Sequence, residues 1–258
     1  MTLESLLRVA LAPLAVGLAS LAARRWGHAV SGYLGGMPLI GGPITFFLAQ
    51  DYGAQFAAQS ASVTLAAVAG QAMYLLAFAR FARWRRRWIL ALAAGWAVFA
   101  MVSVAIALSA PGLIAASGLA VAGLATAWIS LPRPRAAGEL PAVPSVELYL
   151  RIAAAFVLAF AIVTGARVLG PVWSGLLLSL PVTGSIVPPF TLALYGPDAV
   201  ARVTRGFVVG LTAFSSFFLV VAASAVTLGT GPSFALAVLA ALSAVSISSR
   251  LLKIKLAP

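Results

Sequence analysis

Apolar residues along this chain run in long blocks rather than in alternation. Nine blocks fall near 5–23, 30–50, 60–79, 88–109, 112–131, 147–166, 172–194, 204–226 and 232–250. A membrane crossing needs about 20 predominantly apolar residues. The pattern therefore predicts an all-α polytopic membrane protein with about nine transmembrane helices. The one long polar stretch, PRPRAAGELPAVPS at 132–145, carries the prolines and charges of a boundary between two halves. The first block has the look of a signal peptide, but Arg24 and Arg25 follow it and a counterpart recurs later, so it reads as a retained span.

Composition agrees and charge adds direction. Of 258 residues, 62% are hydrophobic and only 9% charged, too few to solvate the surface of a soluble domain. The net charge of +12 would suggest nucleic acid in a soluble protein. Here no nucleic-acid motif accompanies it, and basic loops that orient helices in a bilayer account for it. With the N-terminus outside, the cytoplasmic side receives Arg24, Arg25, the cluster from Arg80 to Arg87, Arg133, Arg135, Arg151, Arg202, Arg205, Arg250, Lys253 and Lys255. Only Arg8 and Arg167 fall elsewhere. The expected orientation is N-out and C-in.

A shift of 143 residues aligns 4–27 with 147–170 and 31–53 with 174–196 without a gap. Glu4 and Arg8 meet Glu147 and Arg151; Pro38, Gly41 and Gly53 meet Pro181, Gly184 and Gly196. Matches in Gly, Pro, Ser, Arg and Glu are not what an Ala/Leu-rich composition produces by chance, so the chain reads as an internal duplication. The expected units are a first four-helix repeat at 1–110, a connector helix and polar linker at 111–145, and a second four-helix repeat at 146–258. The odd connector span makes the second repeat inverted, an arrangement that recurs in secondary transporters.

The second span of each repeat is interrupted. Gly35, Gly36, Gly41 and Gly42 surround Pro38, while Pro181 precedes Gly184, Pro188 and Pro189. Proline removes a backbone donor and clashes with the preceding turn. The expectation is a first half-helix capped near Ser31 or Ser174, unwinding around 38–42 or 181–185, and a second half-helix starting at Pro43 or near Pro188. Paired interruptions at equivalent positions point to a transporter's binding site, which would be shaped by Ser31, Pro38, Gly41, Ser174, Pro181 and Gly184. Amides at the half-helix starts favour an anion or a polarised oxygen. Close helix packing at small residues is the competing explanation.

Other polar groups are few. Glu4/Arg8 and Glu147/Arg151 stand four apart at span ends; the simpler reading is interfacial ion pairing with snorkelling Arg stems, the other a matched pair of gates. Gln71 is the deepest strongly polar side chain, with Thr64 one heptad earlier; the mate span offers Thr212, Ser215 and Ser216. These residues either line a path or bond between helices. Without cysteine and with the single histidine His28, no disulfide, catalytic thiolate, metal site or cofactor is expected. No nucleophile–base set or phosphate loop is visible, and no enzymatic activity is expected.

The stretches SGYLGGMPLIGGPITFF and SGLLLSLPVTGSIVPPF are similar to the AGL-x-PLFPTF-like signature of the GlpM-type small bacterial inner-membrane proteins. The resemblance covers those spans alone and implies two half-size units fused in opposite orientation. It also implies a link to exopolysaccharide production in a bacterial cytoplasmic membrane. The expected function is a permease, flippase-like in one version, moving an unidentified small solute, anionic in one version, or a lipid-linked substrate by alternating access. The alternative is a non-transporting scaffold or accessory subunit in cell-envelope assembly. The expected partners are the bilayer, that solute or lipid, and a second copy of the chain; nucleic acid is not among them.

Overall fold

The computed structural model describes residues 33–134 other than Arg86, residues 145–251, and positions 11, 13–15 and 17. Glu4, Arg8, Arg24, Arg25, His28, Ser31, Arg135, Lys253 and Lys255 lie outside the described residues.

Among the described residues, beyond the short helical stretch at 33–36, seven longer helices follow one another: α1 (Gly41–Tyr52), α2 (Ala54–Arg85), α3 (Trp88–Ser109), α4 (Leu113–Ser130), α5 (Ser145–Leu178), α6 (Val187–Leu228) and α7 (Thr230–Leu251), with a 3-10 turn at Thr183–Ser185 between α5 and α6. No strand occurs among the described residues. Six helical segments are long and apolar enough to cross a bilayer, so the chain is a multi-span membrane protein.

The helices are joined differently from the separate spans that the apolar blocks suggest. α5 carries the expected sixth span and the first half of the seventh; α6 carries the rest of the seventh and all of the eighth. The joints are single residues. Gly170 (φ 66, ψ 178) precedes Pro171, and Gly196 (φ 78, ψ −176) precedes Pro197. Gly53, followed by Ala54 rather than proline, makes a like joint between α1 and α2, at φ 88 and ψ 163. A positive φ is strained for any residue with a Cβ, and proline is pre-set for the first turn that follows. One glycine therefore turns the chain with helix on both sides.

Two helices form the centre. The apolar window of α2 is 78% buried and that of the segment 183–228 is 61% buried, against 22% for α3, α4 and α7. α4 presents Ala116, Ala120, Gly123 and Ala127 as its buried stripe. A Cβ on Gly123 would come within 2.6 Å of the Ala69 Cα, so the small stripe lets α4 lie directly on α2.

Contacts along α2 fix the directions of its neighbours. Thr64, Gln71 and Tyr74 bond Gly175, Ser179 and Gly184 in turn, so that segment runs parallel to α2. Asp198 then meets Arg83 at 3.4 Å, while Phe214 shares a cavity wall with Gln71. The part of α6 beyond Gly196 therefore returns antiparallel to α2.

The Arg83 end is also where three distant basic segments meet. Arg80 donates to Ser130 O and Arg83 to Arg133 O, at 3.3 and 3.4 Å. Arg205 donates to Trp128 O at 3.3 Å, and its guanidinium lies 4.5 Å from the centroid of the Trp128 ring. Arginine thus staples the ends of α2 and α4 to each other and to α6 through carbonyl and ring contacts.

Candidate functional site

Each interruption has the same internal wiring. The chain is helical at 33–36, irregular at 37–40 and helical again from Gly41. In the other half α5 ends at Leu178, 179–182 are irregular, and helix resumes through the 3-10 turn. Both begin slightly before the expected stretches, because the residue preceding a proline already leaves the α region. In the first break Met37 N donates to Leu34 O (3.3 Å), Leu39 N to Met37 O (2.8 Å) and Gly42 N to Pro38 O (2.8 Å). Shifted by 143 residues, Leu180 N donates to Leu177 O (3.1 Å), Val182 N to Leu180 O (2.7 Å) and Ser185 N to Pro181 O (2.7 Å). The amides of Ile40 and Gly41, and of Thr183 and Gly184, have no acceptor among the described residues. These are the orphan donors of a helix start, pointing back along its axis.

All four of these residues line one cavity of about 60 Å³ between the two breaks. That volume holds a few waters or a small anion. Gln71 and Arg151 are on its wall. Gln71 lies at mid-height of α2, roughly 18 Å from the Arg83 level at 1.5 Å per residue.

The second break is held by a polar ladder on α2. The Thr64 hydroxyl donates to Ser60 O and Gly175 O at 2.8 and 2.9 Å. Gln71 Nε2 donates to Ser179 O at 2.5 Å, and the Tyr74 hydroxyl to Gly184 O at 3.1 Å. A carbonyl only accepts, so the Gln71 amide must present its NH₂ to Ser179. Gln71 Oε1 is then left buried with no donor among the described residues. Tyr74, which anchors the start of the second half-helix, was not singled out by its sequence; its three-residue spacing from Gln71 along α2 is the signal that marks it.

The predicted site residues divide. Gly41, Pro181, Gly184, Gln71 and Arg151 line the cavity. Pro38 faces an apolar groove on the other side of the break. Ser174 is not a cap: its helix has already resumed at Pro171 after Gly170, and its fully buried hydroxyl has no partner among the described residues. Thr64 is a fastener, fully buried. Thr212 and Ser215 do not line the cavity; their hydroxyls donate to Val209 O and Leu211 O of their own helix, at 2.7 and 2.8 Å. Such bonding to the preceding turn is the ordinary outcome for hydroxyls on a membrane helix.

Glu147 and Arg151 are enclosed by protein: they pair one helical turn apart on α5, with Glu147 1% and Arg151 7% exposed. Two ions out of water persist only when paired. Leu158, one heptad further along α5, also lines the cavity. The ion pair thus stands beside the cavity toward the N-terminal end of α5.

No protein-family model, curated protein or solved structure matches this chain.

Proposed function

We propose that this protein is a membrane transporter whose central cavity binds a small anion, or the anionic head of a larger substrate, and alternates access to it. One observation carries the reading: two half-helix starts with unbonded amides converge on one cavity that also holds Arg151. Helix N-termini carry partial positive charge and spare donors. Broken helices that aim such ends at a mid-membrane site are the transporter arrangement.

An inverted repeat supports alternating access. Residues 197–228 match the 32 residues of α2 (Ala54–Arg85) at the same shift of 143, and α3 and α7 are both 22 residues long. α2 and its mate run antiparallel, as an axis in the membrane plane requires. Pairs of contacts repeat as well: Gly41 faces Phe218 and Gly184 faces Leu75, positions that correspond under the shift. Rocking one repeat against the other would open the cavity to either side, in a nine-span, N-out/C-in chain of a bacterial cytoplasmic membrane. The Glu147–Arg151 pair would gate one mouth.

One observation favours the scaffold reading. A Cβ on Gly36 would meet Phe207 O at 2.4 Å, and one on Gly210 would meet Tyr33 O at 2.2 Å. Backbones this close suit a rigid body as well as a moving one.

The chain has no cysteine, so single cysteines test the reading directly. Ile40→Cys and Thr183→Cys sit at partly exposed cavity positions; Ala110→Cys and Arg87→Cys are exposed controls. A membrane-impermeant thiol reagent is applied to intact cells and to inside-out vesicles. Labelling at 40 and 183, slowed by inorganic phosphate or sulfate, is the expected result. Labelled controls with both cavity positions silent would remove the water-filled site and favour the scaffold.

A further inference from the structure

At the Arg83 end of the bundle the fold gathers positive charge that no carboxylate balances. α4 ends at Ser130, so the carbonyls of Trp128 and Ser130 are among its last and have no intrahelical donor. Arg205 of α6 and Arg80 of α2 donate to these two carbonyls, and Arg83 donates to Arg133 O just beyond them. Positions 80, 83, 133 and 205 are distant in sequence, and the end of α4 brings them to one corner.

These bonds fix the guanidinium groups without neutralising them, because a carbonyl carries no net charge. Among the described residues Asp198 is the one carboxylate paired with the four arginines, and it pairs with Arg83. The charges of Arg80, Arg133 and Arg205 are left over. Arg80 and Arg133 are exposed and Arg205 is partly so. A guanidinium has five N–H donors, so donors remain for a further acceptor.

Depth is a second observation. The spans Ala54–Trp84 and Leu113–Ser130 both end at this corner, where Phe81, Trp84 and Trp88 are exposed. Exposed tryptophan at a span end marks the level of the lipid headgroups. On the bilayer side, α4 leaves Val121 and Ile129 exposed. Basic residues that only orient a chain need to stand in the right loops; they need not converge.

We propose that this corner binds an anionic phospholipid of the adjoining leaflet, its phosphodiester between Arg80, Arg133 and Arg205 and its acyl chains along the exposed face of α4. Basic pockets between membrane helices take such heads, and guanidinium matches phosphate through paired N–H bonds. The lipid would join α2 and α6 across the end of α4. This site is independent of the transporter reading, since a scaffold could hold the same lipid.

The test uses the full chain in neutral maltoside micelles. It reads energy transfer from tryptophan to pyrene carried on an acyl chain of phosphatidylglycerol or, for comparison, of phosphatidylcholine. The expected result is saturable transfer with a preference for phosphatidylglycerol of about twentyfold, two exposed arginines at about fivefold each. Arg133→Gln removes one exposed charge and keeps the carbonyl that Arg83 bonds; it should cut the preference about fivefold. Arg250→Gln removes an equal charge from an exposed position at the end of α7 and should leave the preference unchanged. Equal losses in the two variants would make the preference a matter of overall charge and overturn the proposal, as would no preference in the unmodified chain. Inorganic phosphate at constant ionic strength separates the sources of the anion. Phosphatidylglycerol that stays bound supports the lipid site, whereas its displacement by millimolar phosphate would give the corner to a soluble anion and overturn the lipid.

Discussion

The two breaks share a backbone and differ in what faces them. Along α2, the second break meets Thr64, Gln71, Tyr74 and Leu75; under the shift of 143 the corresponding residues of α6 are Phe207, Phe214, Phe217 and Phe218. Those four phenylalanines face the first break: Phe207 against Gly35 and Gly36, Phe217 against Gly42, Phe218 against Gly41, and Phe214 on the cavity wall. One half thus ties its carbonyls down with side-chain donors, and the other packs its break with rings. The same turn bonds therefore recur in both breaks whatever faces them. What neighbours supply can diverge, polar on one side and dry on the other. Among the described residues the first break takes no side-chain hydrogen bond from α6, and it is the one that borders the groove.

The largest effect is expected at the rings. Phe218 is fully buried, and Phe218→Ala should cost about 3–5 kcal/mol in reversible unfolding from mixed micelles. Leu75→Ala, its counterpart, should cost about 2–5 kcal/mol and fall below it. Equal losses would mean that the phenyl face contributes no more to its break than the leucine does to the other.

Gln71→Leu comes next. It leaves the Ser179 carbonyl without its donor inside a protein interior, at about 1–3 kcal/mol. Phe214→Leu at the corresponding position should cost less than about 1.5 kcal/mol, because one apolar side chain replaces another. If the two variants unfold alike, the polar ladder is ornamental and the contrast between the breaks collapses.

Much of this contrast was legible in the sequence, and the reasons for the remainder are specific. Pro38 and Pro181 lack amide protons wherever they stand, so interruptions near them follow from local chemistry. Gln71 stood out because a lone amide in an apolar span must find a partner. The hydroxyls misled: Thr212 and Ser215 satisfy themselves on their own helix, and nothing local distinguishes a self-bonded hydroxyl from one that lines a path. Glu147 and Arg151 do pair, as their four-residue spacing suggests, but that packing around α5 encloses them is a tertiary fact that no spacing encodes. The phenylalanine face was invisible as a wall because Phe in a membrane helix reads equally well as lipid-facing. The apolar blocks, finally, could not show that single glycines at 170 and 196 join helices end to end.

Gly41→Ala tests the tightness of the ring-packed break. Its new Cβ would approach Phe218 Cζ to 2.9 Å, whereas on Gly184 it would find Tyr74 Cε1 at 3.3 Å. Overpacking of the first kind costs about 1–3 kcal/mol, and Gly184→Ala should cost less. Adding Phe218→Leu, the residue type found at position 75, should recover part of the Gly41→Ala loss; a strictly additive double variant would mean that the ring is not what the methyl meets.

The smallest effects lie on the ladder's hydroxyls, and their order is informative. Tyr74→Phe removes the side-chain donor at Gly184 O, and interhelical bonds in membranes average about 0.6 kcal/mol. Thr64→Val should cost less still. The Thr64 hydroxyl has one hydrogen to share between Ser60 O and Gly175 O, and Ser60 O lies in the preceding turn of the same helix, so only part of that bond joins the halves. Measured by the same unfolding, a Tyr74→Phe loss above that of Thr64→Val places the ladder's grip at the start of the second half-helix, beside the free amides of Thr183 and Gly184. The reverse order would move it to Gly175, in the helix before the break.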